Sequence, residues 1–348
     1  MPAMRKKRRT SLRGQSSKQL ARALIEGKHV VFVTGAGLSV ASGVRPFRGD
    51  EDNGLWEEVI WKTATRSSFR KDPLKWYNDF WLPHFHSGDS HKPNEGHIAL
   101  KKLCSLFPKS CHIITQNVDG LHEIPQVMEA HGRIGLYKCI PEEDSDTDSD
   151  SDEDENRPVH LGHRRKSRLI RQKLLFQAEE KKEVIPSKFK HGEICRFQQS
   201  HSIQLHEIEP KHVRHALQTG KKVISSPPIC PACKRPVPPQ ALLFDEGYHS
   251  HDFYQFERME ENLADAQVIV FVGTSFQVQI TTVALEHARD HAIPVFNFNT
   301  KDMLEPSARL NVENILGECH ITLPRLLNDV EELLEESQKC QNGGVRVG

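Results

Sequence analysis

Long hydrophobic runs are missing from this 348-residue chain: nowhere do 18 apolar residues follow one another. A helix that crosses a bilayer needs a stretch of about that length, so no membrane span is expected. The first residues also lack the apolar segment of a secretory leader, which points to an intracellular protein without a disulfide framework. Net charge is absent too, because 47 basic and 47 acidic side chains cancel. Charge effects must therefore come from local runs rather than from the whole chain. The dehydrogenase fingerprint Gly-x-Gly-x-x-Gly is not there, since the candidate turn carries its glycines at 35, 37 and 43. Mean hydropathy is −0.56; the polar excess sits in charged segments rather than in the core-forming ones. The length suits one large domain, or a domain plus a module.

What is present is organised around residues 30 to 49. Val30 to Val33 is a short β-branched run that reads as a buried parallel strand. Thr34, Gly35, Ala36 and Gly37 turn the chain, and the small residues up to Gly43 suit a helix start packed close to a ligand. Such a helix would aim free N–H groups at a pyrophosphate; an ordinary tight strand-to-helix turn is the plainer reading. Leu20, Ala23 and Leu24 fit an amphipathic helix ahead of this strand. Trp56, Trp61, Trp76, Tyr77, Phe80 and Trp81 crowd a helical region, 55 to 107, and are expected to pack in a core.

Further strands are expected at Cys111 to Thr115, Val268 to Val272 and Pro294 to Asn299. Polar groups follow each: Gln116, Asn117 and Asp119; Gly273, Thr274 and Ser275; and Asn299 itself. The carboxyl edge of a parallel sheet is where open α/β folds bind ligands. Amides can bond a carboxamide or a ribose hydroxyl there, and a carboxylate can hold ribose or stabilise positive charge. His131 precedes Gly132 shortly afterwards; an imidazole suits proton removal near neutral pH.

Eight cysteines favour metal over disulfides in an intracellular chain. Cys230 and Cys233 form a Cys-x-x-Cys flanked by prolines, a zinc-knuckle pattern. Cys139 is a third ligand by position. Cys195 is the first choice for the fourth, with His160 or His163 in reserve. Between Cys139 and Cys195 lie an acidic run, Glu142 to Glu155, and a basic run, Arg164 to Lys173. Composition of this kind cannot build a core, so disorder is expected there. Arg5 to Arg9 is a basic cluster that reads as a nuclear import signal, with a solvated tail, nucleic-acid contact and a mitochondrial leader as rivals.

Taken together, these segments resemble the sirtuins, NAD-dependent protein-lysine deacylases. The similarity lies in Gly35 to Gly49, in Pro93-Asn94 with His97, in Thr115 to His122, in Leu242 to Glu246, and in Gly273 to Val278. It covers about residues 16 to 330 outside the insertion. The resemblance implies an α/β fold: a Rossmann-like, doubly wound parallel sheet with a small inserted zinc-binding module. Residues 16–132 and 240–330 would form the NAD-binding domain and 133–239 the module, interrupted at about 141–190. Residues 1–15 and 331–348 would be tails. NAD would lie against Gly35, Ala36, Gly37, Ser39, Phe47, Arg48, Gln116, Asn117, Asp119, Gly273, Thr274, Ser275, Asn299 and Cys319. His131, with Asn117 and Asp119, would be catalytic. Structural zinc would take Cys139, Cys195, Cys230 and Cys233. Leu243, Phe244 and Glu246 would meet the acyl-lysine peptide. Products would be free lysine, nicotinamide and O-acyl-ADP-ribose. Histone tails are the expected partners and the nucleus the expected location, with the cytoplasm as alternative and no membrane partner. Two departures stand out: Pro46 replaces the Asp that contacts nicotinamide, and Asp245 replaces a Gly in the substrate loop. A mono-ADP-ribosyltransferase, an NAD glycohydrolase and a catalytically weak NAD-metabolite-binding protein are the alternatives on the same fold.

Overall fold

The computed structural model describes residues 16–44, 60, 62–85, 91–141, 195–221, 223–304, 306–307 and 310–343. The basic cluster at 5–9, the charged runs between 142 and 173, and Pro46, Phe47 and Arg48 lie outside these residues.

Six parallel strands form the main sheet, in the order β3-β2-β1-β7-β8-β9. They are β1 (Val30–Thr34), β2 (Cys111–Thr115), β3 (Val127–Glu129), β7 (Val268–Val272), β8 (Val295–Asn299) and β9 (Val312–Leu316). The chain winds outward on one side from β1 through β2 to β3, then on the other from β7 to β9. The place where the order reverses, between β1 and β7, is where such sheets open a crevice at their carboxyl edge.

Alternation along each strand separates two cores. Val30, Phe32, Ile113, Val268 and Val270 face Leu20 and Leu24 of α1 (16–25), together with Leu100 and Leu103 of α3 (Glu95–Leu106) and Leu323 and Leu326 of α7 (Cys319–Gly343). Val31, Val33, Ile114, Ile269 and Phe271 face the other way, against Met259 and Leu263 of α5 (Phe256–Ala264) and Ile280 and Val283 of α6 (Gln279–His291). Both faces are covered, which is why these strands read as continuous apolar runs.

A second sheet of three strands has the order β5-β4-β6 and is antiparallel: β4 (Gly132–Tyr137), β5 (Ile203–Gln204) and β6 (Pro239–Ala241). Its core is shared with residues far away in the chain. Phe69 of α2 (Arg66–Lys71), and Trp76, Tyr77, Phe80 and Trp81 of the helical run 73–84, pack with Cys139, Phe197, Val213 of α4 (Lys211–Gln218) and Val237. Tyr77 donates to the Val237 carbonyl at 2.8 Å and Asn78 Nδ2 to the Ile224 carbonyl at 3.0 Å.

This arrangement corrects the expected boundaries. Trp76, Tyr77, Phe80 and Trp81 are core, as expected, but they belong to the small domain rather than to residues 16–132 of the sheet domain; Trp56 and Trp61 lie outside the described residues. Gly132, Gln240 and Ala241 also pair within the small sheet. At the far end, α7 runs on to Gly343, with Leu333 and Leu334 packed against the main core, where a tail from 331 was expected. β9 ends at Leu316, and Gly317 and Glu318 lead directly into α7 at Cys319.

Candidate active site

Strands β1, β2 and β7 end level: Thr34 pairs with both Thr115 and Val272. Gly35, Gln116 and Gly273 therefore leave the sheet side by side. The turn after β1 is not the start of an α-helix, as the sequence suggested, but two single 3-10 turns, Ala36–Leu38 and Val40–Ser42, closed by Gly43 at φ 83°. The glycines are needed for a different reason as well. A Cβ on Gly37 would lie 2.8 Å from the Gly273 backbone, and one on Gly273, which sits at φ +58°, would lie 2.5 Å from the Leu38 nitrogen. The two turns are pressed together, with Gly37 N donating to the Gly273 carbonyl at 2.8 Å.

Polar side chains from this edge are bonded to one another. Asn117 Nδ2 donates to the Gly35 carbonyl and to Ser39 Oγ, both at 3.1 Å. Ser39 donates in turn to Asp119 Oδ2 at 2.7 Å, and Asp119 Oδ1 accepts from Leu121 N at 3.0 Å. Gln116 Nε2 reaches Thr274 Oγ1 at 3.3 Å, and Asn299 Nδ2 donates to the Thr274 carbonyl at 2.9 Å. Ser275 is exposed beside them. The set of amides, hydroxyls and a carboxylate suits ribose hydroxyls and a carboxamide, so these residues fit a bound NAD. Cys319 is buried, with its thiol toward the Phe298 carbonyl at 3.7 Å.

Two histidines form the floor. His97 Nδ1 accepts from Asn94 N at 3.4 Å, capping α3, and its Nε2 faces Ser39 Oγ at 3.5 Å. His122 Nε2 faces Thr34 Oγ1 at 3.5 Å. Burial holds the His97 imidazole down at about 4 and that of His122 at about 3. Both belong to the motifs read in the sequence, yet nothing in the pattern told that they support Ser39 and Thr34.

His131 lies between the two sheets. Its carbonyl accepts from Leu242 N at 3.0 Å. Gly132 follows at φ +90°, where a Cβ would collide with the Gln240 carbonyl. The ring is gripped at both nitrogens: Nδ1 lies 3.1 Å from the Gln116 carbonyl and Nε2 lies 3.4 Å from the Tyr248 hydroxyl. A carbonyl only accepts, so Nδ1 carries the hydrogen and Nε2 keeps its lone pair. Burial pushes the imidazole down to about 4, against the opposing pull of the Gln116 carbonyl. At neutral pH it is a neutral base.

The expected substrate loop divides in two. Phe244 is 44% exposed, whereas Leu243 is buried in the small-domain core. Glu246 turns inward: its Oε2 accepts from Leu243 N at 2.9 Å and from Lys138 Nζ at 2.5 Å, both side chains being almost fully buried. The Glu246 carboxylate is thus committed to holding the loop rather than to direct substrate contact. Asp245 has a visible purpose. Its carboxylate accepts from Arg66 N at 2.7 Å and Ser67 N at 3.1 Å, satisfying the free N–H groups at the start of α2.

Cys139, Cys195, Cys230 and Cys233 come together with all four sulfurs within 4.8 Å of one another. Three of the sulfur pairs are 3.5, 3.6 and 3.7 Å apart. Tetrahedral zinc with Zn–S bonds of about 2.3 Å requires edges of about 3.8 Å, so the four thiols fit that ion. The loop of the Cys-x-x-Cys is shaped for it: Cys233 N points at Cys230 Sγ at 3.4 Å, and Lys234 takes φ 61°.

Two outcomes are expected. Cys230→Ser should release stoichiometric zinc and unfold the small domain before the main sheet, because structural zinc supplies folding free energy. Metal analysis and limited proteolysis test this; full zinc content in the variant would refute the site. Stability should also fall with pH. Unfolded imidazoles take up protons through 6.5, whereas folded His97 and His131 resist until about 4 and His122 until about 3. In that window the unfolded state binds more protons, so stability drops as pH falls. A urea midpoint at pH 5 equal to or above that at pH 7 would contradict the burial of these rings.

Comparison with known proteins agrees with this geometry. Residues 35–280 match the model of the Sir2 family. The chain is 32% identical over 336 residues to the NAD-dependent deacetylase sir2E of Dictyostelium discoideum, spanning 94% of this chain and 80% of that protein. An NAD-dependent protein deacylase of Shewanella oneidensis is 40% identical over 119 residues, 32% of this chain and 47% of that one. Among solved structures, a Sir2 homologue in complex with NAD superposes with a TM-score of 0.57 at 20% identity, covering 91% of this chain and 94% of its own. Another, described in work on the mechanism and regulation of Sir2 enzymes, gives 0.56 at 21%, covering 91% and 98%. The chain belongs to the Sir2 family.

Proposed function

We propose that this protein is an NAD-dependent protein-lysine deacylase. The observation that carries the reading is His131: a neutral imidazole, fixed through Nδ1 by the Gln116 carbonyl, beside the Ser39, Asn117 and Asp119 cluster. NAD, when bound, supplies a ribose carbon from which nicotinamide departs and a hydroxyl to which the acyl group passes. Gly273 to Ser275 and Asn299 border the place for the nucleotide, and Gln116 and Asn117 offer amides to it. Ser39 and Leu121 N aim the Asp119 carboxylate, which can stabilise developing positive charge. His131 Nε2 accepts the hydroxyl proton. Leu242 N fixes the His131 backbone, so the peptide-facing loop and the base move as one unit.

A finer reading concerns the substrate and the compartment. Arg5 to Arg9 supports nuclear import, and the acidic run Glu142 to Glu155 supports attraction of basic acyl-lysine peptides such as histone tails. Replacing Arg5 to Arg9 with alanine should disperse the protein from the nucleus; unchanged distribution would overturn that part.

The activity is tested by incubating acetylated and plain peptides with NAD. Nicotinamide and deacetylated peptide should appear only with the acetylated peptide. Nicotinamide release without peptide would support a glycohydrolase, and no release would support a binding protein. His131→Ala should lower deacetylated-peptide formation by roughly a hundred- to ten-thousand-fold while ADP-ribose still binds. Near-native turnover in this variant would remove His131 from the mechanism.

A further inference from the structure

We propose that Tyr248 is a proton relay, standing between the basic nitrogen of His131 and the substrate hydroxyl that loses its proton. The inference rests on the deacylase reading and adds a residue to it. Nothing in the sequence pattern marks Tyr248; it is a single aromatic residue after Gly247.

The argument starts from the bonding capacity of the ring. With its hydrogen on Nδ1, a neutral imidazole has one lone pair, on Nε2. That lone pair faces the Tyr248 hydroxyl at 3.4 Å, so the phenol donates and Nε2 accepts. A substrate hydroxyl can then reach the base in two ways: by expelling the phenol, or through its oxygen. Expulsion is the costlier route. Tyr248 is 6% exposed, at the start of the short helical turn Tyr248–Ser250. Its ring lies nearly parallel to that of His131, at 16° and 6.3 Å, and nearly parallel to Phe256 on α5, at 19° and 6.3 Å. Moving it would open the core that it shares with Val31, Met128 and Met259.

The relay needs no such movement. Having donated its hydrogen, the phenol oxygen can still accept one. As the substrate O–H bond breaks, its proton passes to Tyr248 Oη; the Tyr248 O–H bond breaks in concert, and that proton forms the Nε2–H bond of His131. The phenol is restored, the imidazole becomes imidazolium, and the substrate oxygen is left as the nucleophile. Tyr248 never carries net charge, consistent with a hydroxyl whose acidity burial suppresses strongly. Its distance from Nε2 is long for a working bond, as is common before substrate tightens a site.

Tyr248→Phe in the full-length protein tests this, since phenylalanine keeps the stacking and removes only the hydroxyl. In the free variant, the nitrogen-15 signal of His131 Nε2 should move while that of Nδ1 stays. With NAD and acetylated peptide, formation of deacetylated peptide should fall in kcat by at least about tenfold, with KM and ADP-ribose affinity within about threefold. For the wild-type enzyme, the rate in mixtures of light and heavy water should curve with deuterium fraction, as two protons in flight require. An unmoved Nε2 signal, an unchanged kcat, or a straight isotope dependence would each overturn the relay. So would a parallel loss of ADP-ribose binding and kcat, which would mark a packing role. A wild-type enzyme that makes no deacetylated peptide would instead sink the deacylase reading, and the Nε2 signal would still decide whether the phenol engages the base.

Discussion

The close approach of two turns sets the site. Because β1, β2 and β7 end level, the backbone after Thr34 meets the backbone after Val272 with no side chain between them. Gly37 N on the Gly273 carbonyl closes that contact. Asn117 is then near enough to bond the Gly35 carbonyl, Ser39 is near enough to bond Asp119, and Thr274 can meet both Gln116 and Asn299. Each of these side chains sits at a strand end or in the turn that follows it, so a shift of one turn would separate them all.

A second constraint holds the small sheet to the segment that follows it. Lys138 is fully buried, and its ammonium donates to Glu246, to the Ala241 carbonyl at 2.9 Å and to the Tyr254 hydroxyl at 2.7 Å. Burial lowers its pKa, and Glu246 opposes that shift. A buried charge left without its partner costs about 3–5 kcal/mol, so the pair is held as a unit. It ties β4, which begins at the residue after His131, to the loop carrying Phe244. Asp245 ties the same loop to α2. His131 and the loop carrying Phe244 are thereby fixed to one scaffold.

Much of this was legible in the sequence, for physical reasons. Strands buried on both faces must be apolar and β-branched, so β1, β2, β7 and β8 announce themselves, as do the polar residues at their ends. A Cys-x-x-Cys flanked by prolines reads as half of a metal site, and Cys139, Cys195, Cys230 and Cys233 do converge. Other features left no local trace. The pattern around Trp76 says that the ring is buried but not against which neighbour, so a cluster far upstream of the metal cysteines was assigned to the wrong domain. The glycines at 35 and 37 suggested room for a ligand, whereas it is another stretch of backbone that needs the space. Glu246 is assigned to the peptide by the resemblance alone; its partner, Lys138, is 108 positions away and leaves no local trace. The continuation of α7 past 331 rests on Leu333 and Leu334 within a polar stretch, too weak a stripe to extend a helix by pattern alone.

The cysteine cluster also bears on how this fold accommodates change. Cys139 and Cys195 are neighbours in space, and Cys139 N donates to the Phe197 carbonyl at 2.8 Å. Residues 139 and 195 are thus held in one clamp, whose spacing is set by the cysteine cluster and a backbone bond rather than by the sequence between. For a flexible connection, each doubling of length adds only about 0.6 kcal/mol to the entropy of closure. The clamp therefore tolerates connections of very different length at little entropic cost, which suits this point of the fold to insertions.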